Sequence, residues 1–65
     1  MLKLYVWEDV LRDFTAGMAV VLAHNELEAK QVMKRDFPSY IIEGLPFSKV
    51  QEITEPQGFY VYGGG

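Results

Sequence analysis

The sequence predicts an α+β domain, a small four-stranded sheet with one helix packed on one face, in the order β-β-α-β-β. Three observations carry this. Both ends of the chain alternate residue by residue, as strands do. Met18–Ala23 is an apolar run of strand length. Residues 26–36 form one capped stretch of helical periodicity.

Residues 2–7 read as the first strand, with Leu2, Leu4 and Val6 on one side and Lys3, Tyr5 and Trp7 on the other. Residues 8–17 make a connection longer than the usual two to five residues of a hairpin. Within it, residues 9–14 suit a helical turn capped by Asp9, with Val10, Leu11 and Phe14 on one side. Thr15, Ala16 and Gly17 then reverse the chain, and Met18–Ala23 reads as a central strand covered on both faces.

Asn25 is a good helix N-cap, and Glu28 stands three residues on, as in a capping box. Ala29, Val32, Met33 and Phe37 form one apolar stripe. Pro38 stops the helix, because the residue before a proline is pushed out of the α region. Tyr40, Ile41 and Ile42 suit a brief strand or a cover for the sheet edge, and Gly44-Leu45-Pro46 a turn. Residues 49–54 read as a third, edge strand, residues 55–58 as a type I turn, and residues 59–62 as the last strand. A glycine tail, Gly63 to Gly65, follows.

Sixty-five residues make a single domain, 1–65. A chain of this size buries only about 60% of its unfolded surface. It has no cysteine and one histidine, His24, so neither a disulfide nor a Cys/His metal site is available as a staple. Nearly half the residues are apolar and nine are aromatic, which argues for self-association into a homo-oligomer. The net charge of −3 and the lack of a basic stripe exclude a footprint on long nucleic acid. No membrane-length apolar run and no secretory signal is visible, and a cysteine-free chain suits the cytoplasm.

If the aliphatic sides of the terminal strands serve the core, the four large aromatics Tyr5, Trp7, Tyr60 and Tyr62 are left on the open face. Such side chains suit an interface or a stacking platform for a nucleobase. Arg12 is the one arginine outside the helix and suits a phosphate or carboxylate. Its plainer role is an exposed pair with Asp9 or Glu8. Phe14 adds apolar area beside it. Asp9 and Asp13 suit hydrogen bonds to a base or ribose. With Glu8 they are too few and wrongly spaced for a calcium loop, so no metal and no cofactor is expected. No nucleophile or general-base constellation is present, which points away from an enzyme.

Two resemblances add expectations. The stretch Lys3-Leu4-Tyr5-Val6-Trp7-Glu8-Asp9-Val10-Leu11-Arg12-Asp13-Phe14, with Gly17 and the ending Gly58-Phe59-Tyr60-Val61-Tyr62-Gly63-Gly64, resembles short phage and prophage proteins. Many phage proteins of this size counteract host defence, by binding a host protein or by sequestering a nucleotide signal within an oligomer. The resemblance therefore implies a non-enzymatic binder in the host cytoplasm. The glycine tail is also similar to that of ubiquitin-like and sulfur-carrier proteins of β-grasp fold. That likeness implies the alternative of a carrier activated through its C-terminal glycines.

Overall fold

The computed structural model describes residues 1–11 and 17–62. The class is α+β, but the architecture differs from the four-stranded β-β-α-β-β expectation. Three strands form one antiparallel sheet: β1 (Lys3–Val10), β2 (Gly17–Ala23) and β3 (Gln51–Ile53), in spatial order β2-β1-β3. Between β2 and β3 the chain makes helix α1 (Glu26–Asp36), a short helix α2 (Ser39–Glu43) and a 3-10 turn at Phe47–Lys49.

β1 is the centre of the sheet and runs three residues further than its alternation suggests. Asp9 is the reason. The pairing passes from Glu8 opposite Met18 to Val10 opposite Gly17, so Asp9 is an extra, bulged residue. Its φ of 55° lies in the left-handed region, which aspartate tolerates better than most side chains. Asp9 therefore bends a strand, and the second half of the helical turn expected over residues 9–14 lies outside the described residues. Gly17 completes the junction, because a Cβ there would come within 3.0 Å of the Val10 carbonyl oxygen.

The helix forms where its caps predict. The Asn25 side chain accepts a hydrogen bond from the Glu28 backbone N–H at 2.8 Å. The reciprocal half of a capping box is displaced by one residue. The Glu28 carboxylate accepts from the His24 backbone N–H at 2.9 Å and meets His24 Nδ1 at 2.7 Å. Phe37 ends α1 in extended geometry before Pro38.

The segment after the helix departs most from expectation. Pro38 ends α1 and also starts α2, where residues 40–42 make a helical turn in place of a strand. Ile41 and Ile42 thereby turn towards the core while Tyr40 stays outside. The expected strand at 49–54 shrinks to Gln51–Ile53 because Phe47–Lys49 coil into the 3-10 turn. Residues 59–62 alternate like a strand, yet among the described residues they pair with none.

The sheet is also turned over relative to expectation. Register places Tyr5 opposite Val21 and Trp7 opposite Ala19, on the side that meets the helix. Tyr5, Trp7, Val21, Ala23, Ala29, Met33 and Leu45 form the buried core. The rings enter because α1 offers small or flexible side chains, Ala29 and Met33, that leave room for them. Phe47 then closes the core edge-on against Trp7, with centroids 5.2 Å apart and planes at 86°, and against Tyr5 at 6.2 Å. The Trp7 indole N–H donates to the Pro46 carbonyl at 3.0 Å, which satisfies the one polar atom of a fully buried side chain.

Candidate protein-binding surface

With the aromatic side buried, the face opposite α1 is the aliphatic one. β1 contributes Leu4, Val6 and Glu8; β2 contributes Met18, Val20 and Leu22; β3 contributes Gln51 and Ile53. The two halves of this face differ. Towards β3 it is polar: the Gln51 amide donates to Glu8 at 2.9 Å. Towards β2 it is apolar and open, with Val20 45% and Leu22 54% exposed, and Leu2 stands exposed just before β1. Val6, in the middle strand, is fully buried, so the solvent-facing apolar area concentrates at the β2 edge.

The residues singled out from sequence do not form one surface. Tyr5 and Trp7 lie in the core, whereas Tyr60 and Tyr62 are 82% and 87% exposed on the C-terminal segment. Asp9 is exposed at the β1 bulge. Arg12, Asp13 and Phe14 lie outside the described residues, as do Gly63 to Gly65 and with them the basis of a carrier reading. Val20 and Leu22 were hidden by their own context. A run without polar residues reads as a strand covered on both sides, and nothing in it says that the strand is an edge.

The electrostatics are those of a solvated surface. Lys3 pairs with Glu52 at 3.2 Å, Lys30 with Glu26 at 3.3 Å, and Arg35 with Asp36 at 2.8 Å, all at least partly exposed. Lys30 also sits 5.2 Å from the centre of the Phe47 ring. Hydrogen bonds from His24 hold the Glu28 carboxyl below its usual range, and Arg35 does the same for Asp36. Burial, and then the neighbouring Glu52 carboxylate, push the Tyr5 phenol up, so it stays neutral within the core. Among the described residues no cluster of three or more His, Cys, Asp or Glu side chains is placed to hold a metal ion. No helix among the described residues is long and apolar enough to cross a membrane.

No family model, no curated protein and no solved structure matches this chain.

Proposed function

We propose that this chain is a non-enzymatic binding protein whose working surface is the open aliphatic part of the sheet, and that it works as a homo-oligomer covering a protein target. One observation carries the reading: Val20 and Leu22, two residues apart on one side of β2, stand exposed on a small acidic domain that already has a closed core. Protein surfaces are the natural match for such area. A nucleotide is a poorer one, for two reasons. Two of the four rings that would stack on a base, Tyr5 and Trp7, are inside the core, and Tyr60 and Tyr62 lie apart from them on the C-terminal segment. Among the described residues of the open face there is no cation to hold a phosphate.

The likeness to short phage proteins gives such a binder a role, as an inhibitor that occupies a host defence protein in the host cytoplasm. A photo-crosslinking side chain at position 22 is expected to give a protein adduct in cells. The same group at position 40, also exposed but on α2, is expected to give far less. Equal adducts at the two positions, or none at 22, would remove the basis for this reading.

A further inference from the structure

We infer that β2 pairs edge to edge with β2 of a second copy, antiparallel about a two-fold axis at Val20, so that two three-stranded sheets become one of six strands. The inference rests on the open aliphatic surface proposed above and specifies how two copies of it are joined.

The two edges of the sheet are built differently. The β3 edge is three residues long, includes Glu52, and starts two residues after Lys49. Short length and charge are the usual protections of a free edge. The β2 edge is seven residues, Gly-Met-Ala-Val-Val-Leu-Ala, with no charge and no proline. Among the described residues no strand lies on its outer side. Its outward backbone N–H and C=O groups therefore form a ready template for another strand.

Charge and side-chain size select a second copy as that strand. Each copy carries −3, so identical chains repel except along a neutral stretch, and β2 is neutral throughout. Rotated about Val20, the strand is complementary to itself. Val20 meets Val20, Met18 meets Leu22, Ala19 meets Val21, and Gly17 meets Ala23. Large side chains face large ones on the open side, and small ones face small or medium ones on the helix side. An antiparallel edge pair with its axis normal to the sheet keeps both α1 helices on one side. The exposed Val20 and Leu22 of the two copies then merge into one patch. Cross-strand apolar pairs of this kind are the unit of sheet stabilisation.

The chain has no cysteine, so single cysteines report cleanly. With a short bis-maleimide, Val20→Cys is expected to cross-link to itself. Met18→Cys and Leu22→Cys are expected to cross-link when mixed but not separately, since each lies four residues, about 14 Å of strand, from its own copy. Sedimentation equilibrium of the unmodified chain is expected to give twice 7.4 kDa, and Val20→Lys half of that, with the circular dichroism spectrum retained. An unmodified chain that sediments at 7.4 kDa overturns the pairing, and so does a dimer lacking this cross-linking pattern. If Val20→Lys fails to fold, the three cysteine variants decide alone. A monomer that still yields a position-22 adduct to another protein overturns the pairing but leaves the binding surface standing. Loss of both overturns both.

Discussion

Replacing Trp7 by phenylalanine separates the core role of this side chain from a surface role. The indole donates to Pro46 at 3.0 Å and has no exposed area. Losing that hydrogen bond costs about 1 kcal/mol. Phenylalanine also leaves roughly three heavy atoms' worth of space beside Phe47. At about 0.8 kcal/mol per methylene-sized group, that adds about 2 kcal/mol. The sum, about 3 kcal/mol, is a large share of the roughly 3–10 kcal/mol expected for 65 residues. With about 2.1 cal/mol/K of unfolding entropy per residue, each kcal/mol lowers Tm by about 7 °C, so Trp7→Phe should melt about 20 °C lower. Thermal melts followed by far-ultraviolet circular dichroism at one fixed protein concentration measure this directly. Tyr60→Ala and Tyr62→Ala serve as the contrast. Exposed as they are, each should lie within about 0.5 kcal/mol of the parent chain. A Trp7→Phe loss below about 5 °C, or an equal loss from Tyr60→Ala, would refute the placement of Trp7 in the core.

Other perturbations test single elements. Asn25→Ala should destabilise by about 1 kcal/mol through the lost bond to the Glu28 N–H, and Asn25→Gly by only a few tenths, measured by urea denaturation. Glu28 has a folded-state pKa below its ordinary value of 4.5, so its contribution is complete above that pH and is lost as pH falls through the lower, folded value. Melts across the acid range should therefore decline less steeply for Glu28→Gln than for the parent chain. Tyr5, raised above the ordinary 10.0, has the opposite sign: its contribution holds below pH 10.0 and fades as pH rises through the higher value. Absorbance titration should show a late phenol step that Tyr5→Phe removes. Gly44→Ala would place a Cβ 2.7 Å from Leu11 Cδ2, at a backbone φ of −85° that alanine accepts. The cost should be about 1 kcal/mol, and a double-mutant cycle with Leu11→Ala should recover most of it.

Local signals placed α1 and both strands of the hairpin, because each is bounded by residues with their own chemistry: Asn25 and Pro38 for the helix, Gly17 and Asn25 for β2. The orientation of the sheet was not legible. Alternation states that Tyr5 and Trp7 share a face and that Leu4 and Val6 share the other. Both faces of β1 are apolar, and which one the helix covers depends on volume. Rings as large as Trp7 and Tyr5 need a floor, and Leu45 and Phe47 supply it from a stretch that reads as a turn and the link to the next strand. The same ambiguity hid the binding surface. An uncharged strand looks identical whether its sides are filled by its own chain or left for another. Residues 59–62 show the converse: alternation suits a strand, but without a neighbour to pair with it makes none.

The bond from Trp7 to Pro46 spans thirty-nine residues and fixes when this protein is able to fold. A growing chain can coil α1 and bring β1 against β2, but the indole stays uncovered until residue 47 has been added. Contacts so distant in sequence form only after a costly loop closure. The interior therefore seals only once Pro46 and Phe47 are in place, and β1, β2 and α1 alone leave the indole N–H without its partner.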